Sequence, residues 1–142
     1  MKKIISLSLS LLLAATMVLG LASCGGAVDT DGLWSEAIYT ENTEFGTGKT
    51  TVEVEVKVEE RSVTFTIHTD ETFLGEALME HGLIEGEEGQ YGLYIKKVNG
   101  ITADYDVDQS YWGFYKNGEY MMTSADTTTI ADGEHYELVY AK

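Results

Sequence analysis

Acidic side chains at regular spacing are the first feature of this sequence that suggests chemistry. Asp104, Asp106 and Asp108 occupy alternate positions, as ligands do at the start of a calcium-binding loop. An EF-hand also needs Gly at loop position 6 and Glu at position 12, and those positions hold Gln109 and Tyr115. We therefore reject an EF-hand and leave only a weak surface calcium site as an alternative.

The three histidines do not complete a catalytic or metal-binding pattern either. His68, His81 and His135 lie far apart in the sequence, without the short spacings that seat a metal ion. The sequence has no nucleophile elbow, phosphate-binding glycine loop or cofactor fingerprint. Its 24 Asp and Glu residues are too numerous to single out an acid–base pair. We predict a protein that is not an enzyme and that has no catalytic residues, metal ligands or cofactor.

Cys24 is the single cysteine of the sequence and follows a segment typical of secretion signals. Lys2 and Lys3 precede an apolar run over residues 4–21, which is the order of charged and apolar regions in a signal peptide. Residues 1–23 are therefore predicted to be a signal and are excluded from the fold.

The end of this segment, Leu21-Ala22-Ser23-Cys24, resembles the lipobox of bacterial lipoproteins. The resemblance implies cleavage before Cys24 and a diacylglycerol on its thiol, which would hold the protein on the outer side of the cell membrane. Two acyl chains suffice for stable anchoring, at about 0.8 kcal/mol per buried methylene. An ordinary secretion signal with a chance cysteine and an uncleaved membrane anchor are the alternatives.

Charge excludes one class of partner. Without the 23-residue signal the chain keeps 119 of its 142 residues, and the loss of two lysines takes the formal charge from −15 to −17. That length predicts one domain, and such a surface repels nucleic acid and anionic lipid alike. We expect no nucleic-acid binding and no membrane attachment other than the lipid on Cys24.

The aromatic residues 111–122 contain the strongest structural signal. Asn117-Gly118 lies between two aromatic runs and predicts a two-residue hairpin turn, in which Tyr115 faces Tyr120. Opposed residues share one face of a hairpin. The first predicted face carries Trp112, Phe114 and Met121, with a Lys116–Glu119 pair at its tip. The second, called here the Tyr/Met face, carries Tyr111, Tyr115, Tyr120 and Met122 around a gap at Gly113.

Both faces of this hairpin are too apolar to stand in water, which leaves two interpretations. In one, both faces belong to the core and the tyrosine hydroxyls reach the rim. In the other, the Trp112 face packs against the helix of the domain and the Tyr/Met face binds a ligand or a partner.

The elements that position the hairpin can be read from the periodicity of the chain. Alternating apolar and polar side chains over residues 52–69 predict an antiparallel hairpin. A helical stripe follows, formed by Leu74, Ala77, Leu78 and His81. Asp70 or Thr72 can cap the start of this helix, and Gly82 stands where a left-handed residue ends it.

The rest of the chain completes a small domain over residues 50–142. Residues 85–89 predict an acidic loop, residues 91–98 a strand and residues 136–140 a closing strand. Residues 24–49 hold the lipidated cysteine and a tether, with residues 33–40 as a first strand or a docked arm. The order predicts an α+β, β-grasp-like domain, with a mixed or antiparallel sheet of about five to six strands and one short helix on one face.

Four stretches taken together resemble a known family of domains in Gram-positive surface lipoproteins. This family is similar to the C-terminal β-domain of transcobalamin and intrinsic factor. The stretches are Thr72-Phe73-Leu74-Gly75-Glu76-Ala77-Leu78, Gly92-Leu93-Tyr94-Ile95, Val98-Asn99-Gly100-Ile101 with Tyr111-Trp112-Gly113-Phe114-Tyr115, and Asp132-Gly133-Glu134. The resemblance covers about residues 50–140.

The resemblance implies a place for a ligand. In the vitamin carriers this domain closes over cobalamin, and a Tyr-Trp pair lies near the ligand, a role that carries over only to Tyr111 and Trp112. The carriers also have a large helical domain, for which this chain has no room, and the bacterial members mostly have no known function.

Two functions remain open at this stage. The first is a non-catalytic lipoprotein that binds a corrinoid or another flat amphipathic molecule. Its candidate ligand-binding residues are Tyr111, Trp112, Gly113, Tyr115, Tyr120 and Met122. The alternative is a surface module that docks an exported protein or a cell-wall component through the same face, since Tyr, Trp and Met are favoured both in pockets and at interfaces.

Overall fold

The computed structural model describes residues 32–142. The predicted signal segment, the lipidation of Cys24 and most of the predicted tether lie outside the described residues. No helix within residues 32–142 is long and apolar enough to cross a membrane.

Nine strands and two short helices make up the described part of the chain. The strands are β1 (Thr43–Gly46), β2 (Thr50–Val58), β3 (Arg61–Thr69), β4 (Ile84–Gly89), β5 (Gly92–Val98), β6 (Ile101–Thr102), β7 (Tyr111–Lys116), β8 (Glu119–Tyr120) and β9 (His135–Ala141). The helices are α1 (Leu74–Glu80) and α2 (Tyr105–Asp108), and 3-10 turns lie at Gly32–Glu36 and Ala125–Thr127.

Six strands form the predicted mixed sheet, in the order β1-β3-β2-β9-β7-β8. β2 and β3 pair antiparallel as predicted, while β9 lies parallel to β2 and β1 lies parallel to β3. Alternation places one set of side chains on the buried face of this sheet. The set includes Val52, Val54, Val56, Phe65, Ile67, Tyr136 and Leu138. The α+β class and the sheet of about six strands are confirmed.

A second sheet, in the order β4-β5-β6, was not expected. Residues 85–89 were predicted to be a loop because they are Glu- and Gly-rich and lack apolar alternation. They form β4 because β5 supplies its hydrogen-bond partners, with a register shift between Glu85 and Gly86. A side chain at Gly86 would meet the Tyr94 carbonyl, so the close approach of the two strands requires glycine there.

Helix α1 forms where the apolar stripe predicts it, but its start is not capped as expected. Phe73 occupies the N-cap without a side-chain hydrogen bond. The Leu74 N–H instead donates to the Thr128 carbonyl at 2.9 Å, and Asp70 accepts from the Lys49 N–H at 2.9 Å. A tertiary backbone contact thus replaces the local cap. Gly82, with φ +69°, ends the helix as predicted.

The segment before β1 docks on the core through Trp34. This residue lies in the 3-10 turn Gly32–Glu36 and is 5% exposed. Its Nε1 donates to the Val58 carbonyl at 3.3 Å, and the Arg61 guanidinium lies 4.4 Å from its ring centroid. Residues 33–40 therefore form a docked arm rather than a strand, and β1 follows them in the chain.

Candidate functional site

A groove of about 600 Å³ lies between the two sheets. Its floor is β7, one wall is β5 with the β4–β5 turn, and the other wall is the segment from Tyr120 to Ala125. Tyr105 of α2 also lines the groove. We call this surface the aromatic groove.

The floor of the aromatic groove is attached to the core by ring contacts across the main sheet. β7 pairs with β9 so that Trp112 opposes Tyr140 and Phe114 opposes Leu138. The rings of Trp112 and Tyr140 meet edge to face at 5.6 Å, and Phe114 stacks on Tyr136 at 5.8 Å. Because Trp112 and Phe114 are each 8% exposed, the floor is rigid core surface rather than a flexible lid.

The wall formed by β5 was not predicted as part of a site. Leu93, Tyr94 and Ile95 line it, and Tyr91 stands at its outer rim, 85% exposed. The strand itself was predicted from its pattern. The sequence pattern could not predict that β5 lies close to β7, because the two strands belong to different sheets and meet only through tertiary packing.

The opposite wall forms where the predicted hairpin ends early. The Asn117-Gly118 turn and the Tyr115–Tyr120 register are confirmed, and the Met121 N–H still donates to the Phe114 carbonyl at 2.9 Å. The same hairpin register would pair Met122 with Gly113 and Thr123 with Trp112, and this expectation is wrong, because the chain turns away from β7. The 3-10 turn Ala125–Thr127 takes over, with the Thr128 hydroxyl and the Thr127 N–H donating to the Ser124 carbonyl.

A carboxylate fastens the two walls to each other. Asp126 accepts hydrogen bonds from the Ser124 hydroxyl in its own wall and from the Leu93 N–H, at 3.0 Å, in the β5 wall. Burial raises the pKa of Asp126, but these two hydrogen bonds, together with one from its own backbone N–H, outweigh burial and hold the pKa below its usual value. Gly92, with φ +111°, leaves room for the Ser124 hydroxyl, which a Cβ there would meet. The ionised carboxylate therefore links the two walls of the groove.

The gap at Gly113, predicted as the centre of the Tyr/Met face, is already filled. A Cβ on Gly113 would lie 3.0 Å from Cε2 of Tyr115, so the ring of Tyr115 covers Gly113. Tyr115 also meets Tyr120 edge to face at 5.4 Å. A planar ligand therefore cannot lie over Gly113 as predicted.

The structure thus divides the six predicted site residues between two surfaces. Gly113 and Tyr115 lie outside the aromatic groove. The other four line it: Tyr111, Trp112, Tyr120 and Met122. They meet there because the residues after Tyr120 leave the hairpin and form a wall above its first face, which sequence alternation alone does not predict.

Two further expectations about the hairpin are corrected. Helix α1 packs mainly on the 3-10 turn Ala125–Thr127 and on β4, whereas β7 packs on β5, so the second sheet rather than the helix faces Trp112. Lys116 opposes Glu119 in register but forms its ion pair with Glu134. Glu134 also accepts a hydrogen bond from the Tyr136 hydroxyl at 2.7 Å. This bond holds the Glu134 carboxylate in place for Lys116, whereas Glu119 is exposed.

The lining of the aromatic groove is apolar or neutral throughout. Seventeen described residues line it and none is charged, in a chain of which 23% is charged. Six of the nine exposed large apolar or aromatic side chains of residues 32–142 lie in this lining: Tyr91, Tyr94, Tyr105, Tyr111, Tyr120 and Met122. The Trp112 Nε1 is buried without a hydrogen-bond partner, an unsatisfied donor that costs free energy until an acceptor reaches it.

The histidines lie away from the groove. His68 lies 2.7 Å from a Glu44 oxygen, and the two ring nitrogens of His135 lie 3.3 and 3.6 Å from Glu53 and Glu55. Within residues 32–142 no group of three or more His, Cys, Asp or Glu side chains could hold a metal ion.

Comparison with known proteins identifies relatives of this domain. Residues 70–141 match the model of a family described as a domain of unknown function, DUF4430. A protein from Ruminococcus gnavus ATCC 29149, whose crystal structure was described with a suggested metal-binding role, is 38% identical. That match covers 66% of this chain and 98% of the other, with a TM-score of 0.63. No curated protein matches the chain.

Haptocorrin, in a crystal structure of its complex with Cbi, is similar in fold. The TM-score is 0.50 and the identity 24%, and the match covers 69% of this chain but 26% of haptocorrin. The present chain thus spans about a quarter of the length of haptocorrin, and the similarity shows the fold alone. Since haptocorrin is of the transcobalamin family, it agrees with the fold expected from the sequence resemblance.

Proposed function

Because this chain belongs to the DUF4430 family, a domain of unknown function, we propose a role from its geometry: a non-catalytic module that binds a flat amphipathic molecule in the aromatic groove. One observation carries the proposal. Six of the nine exposed large apolar or aromatic side chains within residues 32–142 gather in this groove. Its volume of about 600 Å³ lies within the range of ligand pockets, roughly 300–1,000 Å³.

A corrinoid is the first ligand that we propose. The haptocorrin structure contains Cbi, and the sequence resemblance assigns a ligand contact to Tyr111 and Trp112, which both line the groove here. A metal-binding role was suggested for the Ruminococcus gnavus protein. Residues 32–142 of the present chain contain no group of three or more side chains that could hold a metal ion. The proposal therefore rests on the groove.

We expect weak binding, because the groove covers only one side of a large ring. Tyr91 and Met122 at the rim are 85% and 89% exposed, so a bound macrocycle keeps much of its surface in water. A dissociation constant on the order of micromolar or poorer follows.

Calorimetric titration of the full chain in lipid nanodiscs with cobinamide and cobalamin tests this role. Tyr111→Ala should weaken binding roughly tenfold, since one ring contact contributes up to about 1.5 kcal/mol. Tyr115→Ala is the matched control, because it removes the same side chain from the same strand outside the groove. Weaker binding only in the Tyr115 variant would show that the ligand binds the opposite face of β7, which carries Tyr115.

A partner-docking module is the second candidate, favoured by the strongly exposed rim residues Tyr91 and Met122. An exported protein or a cell-wall component would cover them as a small molecule cannot. If neither corrinoid produces heat or a chemical-shift change at millimolar concentration, this candidate replaces the first.

Anchoring by Cys24 is the remaining part of the proposal. Lipidation of its thiol would hold the domain on the outer face of a bacterial cell membrane, where an extracellular ligand or partner could reach the groove. Cys24→Ala should release the protein from the membrane fraction or block its processing, as fractionation and mass spectrometry of the N-terminus would detect. Normal cleavage with undiminished membrane binding would exclude lipidation as the anchor.

A further inference from the structure

We infer that the aromatic groove selects ligands that are neutral or cationic where they enter it, and that it rejects ligands that bring a phosphate or carboxylate into it. The inference rests on the proposed function and adds to it the chemical class of the ligand. It follows from the charges in and around the groove.

The lining itself carries no charged side chain. None of its seventeen described residues can neutralise an anion, although about four charged residues would be expected from the 23% charged content of the chain. The polar groups that it does offer are uncharged: tyrosine hydroxyls, the Gln90 amide, and the Thr123 and Ser124 hydroxyls. Such groups match amide and hydroxyl substituents of a ligand, whereas burying an unpaired anion is costly.

The two lysines of the β5 wall strand are already paired. Lys96 lies 3.4 Å from Glu87, and Lys97 lies 3.4 Å from Glu85. The hydrogen bond to Glu87 raises the pKa of Lys96. Because each ammonium group on β5 has a carboxylate on β4, neither is free to serve a ligand phosphate without losing that partner.

The electrostatic field around the groove also disfavours anions. Glu88 on β4 and Glu119 on β8 are exposed on the strands that flank the groove, and the chain has a formal charge of −15. A negative surface raises the local concentration of cations and lowers that of anions. The field therefore acts in the same direction as the uncharged lining.

Two corrinoids separate this inference from the proposed function. Cobinamide and cyanocobalamin share the corrin ring and its amides, but only the second carries a nucleotide with a phosphodiester. We expect the wild-type full chain in nanodiscs to bind cobinamide roughly three- to tenfold more tightly.

A charge variant shows whether this preference is electrostatic. Met122→Lys places a cation at an exposed lining position and should improve cyanocobalamin binding roughly three- to tenfold, with no gain for cobinamide. The gain should vanish near 1 M salt, where the Debye length is about 3 Å. Met122→Gln is the matched neutral control and should show no gain.

Each contrary result has one meaning. Equal affinities of wild type for both corrinoids would overturn the inference and leave the proposed function intact. An equal effect of Met122→Lys and Met122→Gln would assign the preference to the size of the nucleotide, which also overturns it. Binding of neither corrinoid would contradict the proposed function, and this inference with it.

Discussion

At the scale of single residues, side-chain conformation decides which surfaces of the hairpin are open. Gly113 looks like a gap in the sequence, yet the Tyr115 ring occupies the space beside it. Trp112 looks like a core residue and is buried as expected, but its ring also forms the floor of the aromatic groove. Alternation along a strand predicts the face on which a side chain lies, not what covers that face.

Asp126 gives a prediction at this scale. Asp126→Ala removes the acceptor for Leu93 and Ser124, so it should lower the free energy of unfolding by roughly 1–3 kcal/mol and also weaken ligand binding. Urea unfolding and calorimetry measure the two effects.

Asp132→Ala is the matched control for this variant. Asp132 also accepts a backbone N–H, that of Thr51 at 2.7 Å, but it does not line the groove or join its walls. This variant should lose stability and keep the affinity for the ligand. Unchanged ligand affinity in the Asp126 variant would contradict the role of its carboxylate in holding the walls.

At the scale of elements, the Asn117-Gly118 turn defines the hairpin, and the 3-10 turn Ala125–Thr127 ends it. Asn117 and Gly118 adopt φ +52° and +84°, which is the left-handed geometry of a two-residue turn. The ladder stops after two strand pairs because Ser124 and the following threonines form their own hydrogen bonds. Local side-chain bonds of this kind compete with strand pairing.

Gly118→Val tests the contribution of the turn. A β-branched side chain at positive φ stores roughly 1–3 kcal/mol of strain, so the denaturant midpoint should fall. Asn117→Gly is the control, because glycine accepts the same φ without steric strain. An unchanged midpoint for Gly118→Val would mean that the turn can adopt another geometry at little cost.

At the scale of the whole molecule, acidic side chains pair with groups that are distant in sequence. Glu137 on β9 lies 2.5 Å from Lys57 on β2, and the hydrogen bond from Lys57 lowers the pKa of Glu137. Burial raises the pKa of Glu134, but hydrogen bonds from Lys116, Tyr136 and the Ala131 N–H outweigh it and lower the pKa. Both carboxylates bind a proton less readily in the folded state than in the unfolded one.

This difference predicts the acid stability of the domain. A lowered folded-state pKa contributes stability above the unfolded value, 4.5 for Glu, and that contribution is lost as the pH falls through the folded pKa. Thermal midpoints should therefore drop on acidification below about pH 4.5, and Glu134→Gln should flatten this part of the profile. Glu60→Gln, at an exposed position in the β2–β3 turn, is the control and should keep the wild-type slope.

The sequence by itself determined the elements that depend on short-range pattern. Alternating valines defined β2 and β3, the apolar stripe defined α1, and Asn-Gly defined the β7–β8 turn, because periodicity and positive φ are local properties of the chain. The aromatic stretch that holds the six candidate site residues was also singled out in this way, although it did not distinguish the four that line the groove from Gly113 and Tyr115. The class of the fold follows from the order of these elements.

Only the tertiary structure decided where the site lies. The β5 wall, the strand character of residues 85–89, the cap of α1 and the partner of Lys116 all depend on groups distant in sequence, and none leaves a periodic signal. The aromatic groove exists because a second sheet packs beside β7 and Asp126 fastens the opposite wall to it. A surface built from two sheets is a property of their packing, and local sequence pattern carries no information about the distance between them.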